Sequence, residues 1–98
     1  MEIQLRQGNR VIGKVSMYML IKIMADFKRD GYKRAYEVLQ RGRLDILKGR
    51  KPIPLTEADA KALHIASGSS DNACALLRPN APGHYWHGAV LERVPIPG

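Results

Sequence analysis

Gly8-Asn9 separates two short runs, Ile3-Gln4-Leu5-Arg6-Gln7 and Arg10-Val11-Ile12-Gly13-Lys14-Val15. Two such runs on either side of two residues that tolerate positive φ are the pattern of a β-hairpin. A two-residue loop also sets the register. Leu5 is therefore expected opposite Ile12 and Ile3 opposite Lys14, with Ile3, Leu5 and Ile12 on the core face of a hairpin over residues 3–15.

The pattern then changes to a helical period. Residues 17–29 place Leu20, Met24 and Phe27 on one stripe, with Met17, Ile21 and Ile23 beside it and only Lys22, Asp26 and Arg29 as a polar strip. Ser16 is the expected N-cap and Gly31 the stop. So apolar a helix is expected to be buried on most sides. Residues 33–48 form a second helix, with Ala35, Val38, Leu39, Gly42 and Ile46 inward and Arg34, Glu37, Arg41, Asp45 and Lys48 outward. Gly42 disfavours the helix by about 1 kcal/mol relative to Ala, which points to a close helix–helix contact.

A basic connector bounded by Pro52 and Pro54 leads to a third helix over 57–66, capped by Thr56 with Asp59 three residues on. A short helix over 72–77 follows, and Pro79 limits it. Asn80-Ala81-Pro82-Gly83 has turn chemistry. Residues 84–94 read as a last strand that completes a three-stranded antiparallel sheet with the hairpin. Pro95 and Pro97 bar its continuation as a central strand. The fold class is α+β, one domain over residues 1–98 with helices packed on a small antiparallel sheet.

Charge singles out one part of this chain. Of 16 Lys and Arg residues, nine lie in residues 28–51, against three acidic residues there, so that segment carries nearly all of the +7 net charge. Such an excess speaks to polyanion binding rather than to fold. Arg34–Glu37, Glu37–Arg41, Arg41–Asp45 and Asp45–Lys48 are spaced to pair along one helix. Lys28, Arg29, Lys33, Arg43, Arg50 and Lys51 have no such local partner. These six are the expected contacts to nucleic-acid phosphates, DNA or RNA, with help from Arg10 or Lys14. The alternative partner is an acidic protein surface, met by a small adaptor or inhibitor. In His84-Tyr85-Trp86-His87, Tyr85 and Trp86 are candidate aromatic contacts for either partner. A core Trp flanked by surface histidines is the plainer reading.

Residues 10–47 resemble a ribbon-helix-helix DNA-binding domain. Lys14, Ser16 and Tyr18 alternate with Val15, Met17 and Met19, a helix follows, and Tyr32-Lys33-Arg34-Ala35 opens a second helix after Gly31. The resemblance implies a homodimer whose paired strands read base edges through Lys14, Ser16 and Tyr18. It spans under half the chain and departs from the family twice. Lys33 and Ala35 replace the usual hydroxyl residues, and Gly8-Asn9 pairs the strand within its own chain. The chain is therefore not assigned to that family. A helix-turn-helix with residues 33–48 as recognition helix is an independent alternative, although the spacing from Ala25 to Gly31 exceeds the usual tight turn.

Other chemistry has little material. Cys74, near the start of a short helix, would need His64, His84 or His87 as its base. It lies among Ala73, Ala75, Leu76 and Leu77, where a packed thiol is expected. Neither Cys-x-x-Cys nor His-Glu-x-x-His spacing occurs, so no metal, cofactor or catalytic site is expected. A single cysteine and a polar N-terminus without an apolar run fit a cytoplasmic protein. The apolar run from Met17 to Ile21 is too short to span a bilayer.

Overall fold

The computed structural model describes residues 1–77 and 86–96. The elements run β1 (Glu2–Gln7), β2 (Arg10–Ser16), α1 (Met17–Arg29), α2 (Lys33–Leu47), α3 (Glu57–Ala66), α4 (Ala73–Leu76) and β3 (Val90–Arg93). The three strands form one antiparallel sheet in the order β2-β1-β3, so the α+β reading holds. Buried side chains from every element join in a single apolar cluster.

The hairpin turn is where the sequence places it, with Gln7 opposite Arg10 and Gly8 at φ +61. The register beyond it is not the expected one. Arg6 faces Val11 but Leu5 faces Gly13, so Ile12 is an extra residue in a β-bulge. The bulge moves the pairing by one residue. Ile3 then meets Val15 on the core face, and Lys14 falls opposite Gln4 and stays exposed. A strict two-residue register would have turned Lys14 toward the core, and the bulge removes that cost.

Ser16 ends β2 and starts α1, its Oγ accepting the Met19 N–H at 3.1 Å. Leu20, Ile23, Met24 and Phe27 are buried, but Tyr18, Ile21 and Ala25 are exposed. The expectation that α1 is covered on most sides is therefore wrong: its apolar character exceeds its burial. At its end, Gly31 takes φ +85, its N–H reaches the Lys28 carbonyl, and the Tyr32 N–H donates to the Phe27 carbonyl at 2.9 Å. This is a Schellman closure, and its apolar contact is the edge-to-face pair of Phe27 and Tyr32. The chain reverses there, and α2 packs back along α1.

α2 touches α1, α3 and β3. It closes the same way, with Gly49 at φ +69 and the Arg50 N–H on the Asp45 carbonyl at 2.8 Å. Gly42 serves a helix–strand contact rather than the expected helix–helix one. A Cβ there would lie 2.5 Å from Leu91 Cδ2 of β3. At Gly13 a Cβ would overlap the Leu76 backbone, with Leu76 Cα at 2.9 Å, so α4 sits directly on β2.

Thr56 caps α3 as expected, its Oγ1 accepting the Asp59 N–H at 3.1 Å. The last strand is shorter than the expected 84–94. Residues 86–88 form a turn, with the Ala89 N–H on the Trp86 carbonyl at 3.0 Å. Ala89 and Gly88 bond instead to Leu55, which lies outside the sheet. The expected turn at residues 80–83, and His84 and Tyr85, lie outside the described residues.

The two tight glycines respond differently to a methyl group. Gly13→Ala drives Cβ into backbone and costs about 1–3 kcal/mol. Gly42→Ala meets the Leu91 side chain, Cδ2 at 2.5 Å with Cβ and Cγ at 3.3 and 3.4 Å, so Leu91 must shift, and the up to about 1 kcal/mol of helix propensity recovered offsets that cost. Urea unfolding should therefore show Gly13→Ala clearly destabilised and Gly42→Ala close to the parent protein.

Candidate nucleic-acid interface

The charged residues of segment 28–51 do not share one face; the structure sorts them by partner. Arg29 lies 3.0 Å from Asp30 and 3.5 Å from Asp26, and Arg50 lies 3.6 Å from Asp45. Both therefore have a local carboxylate where none was expected: Arg29 has Asp26 three residues back along α1 and its neighbour Asp30, and Arg50 has Asp45. Arg50 gains its partner because the Gly49 reversal folds it back beside Asp45. Arg34 and Arg41 bond across to α3 rather than along α2. Both reach Asp59, at 3.5 and 2.7 Å, and the Asp59 side chain is only 8% exposed. That carboxylate, in the first turn of α3 where the helix dipole favours negative charge, ties α2 to α3.

Lys28, Lys33, Arg43 and Lys51 form no ion pair among the described residues. Lys33 lies beside Arg34 in a shallow depression with Ala62 and Ile65. Lys51 is exposed beyond the end of α2. Only Lys28 and Arg43 converge. They line a groove of about 310 Å³ between α1 and α2, with Tyr36 and Gln40 from α2 and apolar surface from Ile21, Met24 and Ala25 of α1. No carboxylate is among the described residues that line it. Lys28 Nζ sits 5.5 Å from the centre of the Tyr36 ring. Arg43 Nε is buried and has no hydrogen-bond partner among the described residues. Two cations thus face one apolar cleft, and no anion among the described residues pairs with either of them.

Two features of this groove are invisible to charge counting. Tyr36 and Gln40 lie on the same helical stripe as Arg43, but nothing in the sequence says that this stripe faces α1. Tyr18 and Ile21 look like members of an apolar helix, yet they are 68% and 43% exposed beside the groove. Lys22 Nζ lies 4.8 Å from the centre of the Tyr18 ring.

The other candidates fare differently. Trp86 is buried and lies against His64, ring centres 5.5 Å apart, so it belongs to the core and offers no surface for stacking. Tyr85 lies outside the described residues. Lys14, Ser16 and Tyr18 do not make a strand face, because β2 ends at Ser16 and Tyr18 is helical. The ribbon that the family resemblance implies is thus paired within the chain and cut short by the cap. Cys74 is exposed rather than packed, its Sγ 3.7 Å from the Ser67 carbonyl oxygen. Among the described residues, no group of three or more His, Cys, Asp or Glu could hold a metal, and no helix is long and apolar enough to cross a membrane. Comparison of the chain with protein-family models, with curated proteins and with solved structures returns no significant match.

Behind the groove, Asp26 of α1 anchors the segment before α4. Its Oδ2 accepts from Ser70 Oγ at 2.5 Å and from Asn72 Nδ2 at 3.1 Å. These two hydrogen bonds, aided by Arg29, hold the Asp26 carboxyl below its ordinary range. Across the sheet, Arg6 grips Glu92 through two hydrogen bonds, and with Gln4 it lowers the Glu92 carboxyl likewise.

A carboxylate lowered in the folded state contributes stability that is complete above its unfolded pKa and lost as pH falls through the folded one. Acid should therefore destabilise the protein from the ordinary Asp and Glu range downward. Asp26→Asn should remove part of that dependence in denaturant titrations run at several pH values. An unchanged acid slope would show that the Asp26 network is not linked to folding.

Proposed function

We propose that the protein binds nucleic acid, and that the groove between α1 and α2 is where it does so. The observation that carries this reading is the pair Lys28 and Arg43, which face a common cleft with no opposing carboxylate among the described residues. A cation left without a protein anion is free to neutralise a phosphate and release its counterion, the main source of affinity for nucleic acid. Lys22 and Lys14 are exposed on α1 and β2, and they add long-range attraction. Arg29, Arg50, Arg34 and Arg41 already have carboxylates, so they contribute less than their number in the sequence implies.

Binding should weaken steeply with salt. Replacing two phosphate-contacting cations in Lys28→Ala/Arg43→Ala should make the log–log salt slope shallower by about 1.4–1.8. Fluorescence anisotropy on mixed-sequence oligonucleotides measures both affinity and slope. A double variant with the parent protein's affinity and slope would remove the groove from the assignment.

A second reading has its own support. Leu44, Ile53, Leu55 and Leu91 line a cleft between α2, the connector and β3, edged by Arg41, Lys48, Arg50 and Asp45, the single acid there among the described residues, and Ile53 is 73% exposed. An apolar patch with a basic rim suits an acidic protein surface. Under that reading, a stoichiometric complex forms with such a partner and Ile53→Asp abolishes it, while nucleic acid is not bound even at low salt. A complex indifferent to Ile53→Asp would exclude this cleft as the contact.

A further inference from the structure

Resting on the nucleic-acid reading, we infer that the groove between α1 and α2 admits an unpaired base, so that the ligand is a single strand rather than a duplex. The argument is one of shape and lining. The outer surface of a duplex presents phosphates and sugars, while its base edges lie deep in the grooves and are reached by an element that protrudes. Here the two uncompensated cations do not protrude. Lys28 and Arg43 flank a concavity, and its volume of about 310 Å³ lies at the small end for ligand sites, enough for one compact planar group. Between the cations the lining is apolar: Ile21, Met24 and Ala25 from one helix and the Tyr36 ring from the other. Phosphate gains nothing from that surface, whereas an unstacked base does.

The surroundings carry the same preference. Tyr18 stands one turn before Ile21 on α1, 68% exposed, with Lys22 Nζ over its ring, 4.8 Å from the centre. An exposed aromatic with a cation over one face offers its other face to a second base and the cation to that base's phosphate. Every base has a π face, so this arrangement discriminates between single strand and duplex but hardly among sequences. Gln40 supplies donors and an acceptor inside the groove, the only amide there among the described residues.

The test compares mixed-sequence single-stranded DNA and RNA, each about 12 nucleotides long, with the DNA duplex of the same sequence, by anisotropy at low salt. The proteins are the parent chain, Tyr18→Ala and Tyr18→Phe, each checked for folding by circular dichroism. The parent should bind single strand at least tenfold more tightly than duplex. Tyr18→Ala should lose about five- to tenfold on single strand and little on duplex, and Tyr18→Phe should keep the preference. Equal or tighter duplex binding, or a Tyr18→Ala variant with an undiminished preference, would overturn the inference and leave nucleic-acid binding standing. Failure to bind any of the probes at low salt would overturn both.

Discussion

The Schellman closure at Phe27, Gly31 and Tyr32 decides where everything after residue 32 can go. The chain must leave α1 and immediately run back along it, and glycine alone takes φ +85 without a Cβ penalty. The edge-to-face contact of Phe27 with Tyr32 fixes the angle of that return. α2 emerges with one flank on α1, its inner face on β3 and its other flank on α3. Each flank is secured differently. On the α3 side a buried carboxylate, Asp59, holds Arg34 and Arg41. On the α1 side, past the aromatic pair, no ion pair joins the helices among the described residues, and the seam opens into the groove. The asymmetry follows from where the acids are: Asp59 faces one flank, and Asp26, the one acid of α1, bonds to Ser70 and Asn72 instead of the other.

That asymmetry also explains why net charge was a coarse guide. Segment 28–51 carries most of the positive excess, but part of it is structural. The cations that α3 and the Gly49 reversal neutralise hold helices and a connector in place. Lys28 and Arg43, two of the cations that form no ion pair among the described residues, are fifteen positions apart in sequence and meet only because α2 folds back. Their lining partners Tyr36 and Gln40 could be placed on the Arg43 stripe by helical period alone. What faced that stripe could not, since the direction of helix packing is a long-range property.

Local chemistry was read well where a few residues settle the outcome. Ser16 and Thr56 cap their helices, Gly31 stops α1, and Gly8-Asn9 makes the hairpin turn, because each is decided within about four residues. Failures came where distant parts of the chain intervene. The bulge at Ile12 keeps Lys14 out of the core, which a two-strand register cannot foresee. β3 is shortened because Ala89 and Gly88 find hydrogen-bond partners at Leu55, more than thirty residues away. The abundance of apolar residues in α1 suggested burial on most sides, yet Tyr18 and Ile21 lie on the surface beside the groove. An apolar residue on a helix need not face the core of its own chain.

The strand order β2-β1-β3 has a consequence for how the molecule is made. β1 is the middle strand, yet its second neighbour is the last to be synthesised: Gln4 bonds to Glu92 across 88 positions of sequence. The hairpin can close as soon as its own residues are available, but the other edge of β1 stays bare until residues 90–93 arrive. Closing so long a loop is slow compared with forming the local helices. During that interval the nascent chain exposes the backbone donors and acceptors along one edge of β1, a template for pairing with another molecule. The charged clasp of Arg6 and Gln4 on Glu92 then acts as a selectivity device, rewarding the one strand that brings a carboxylate to the right place.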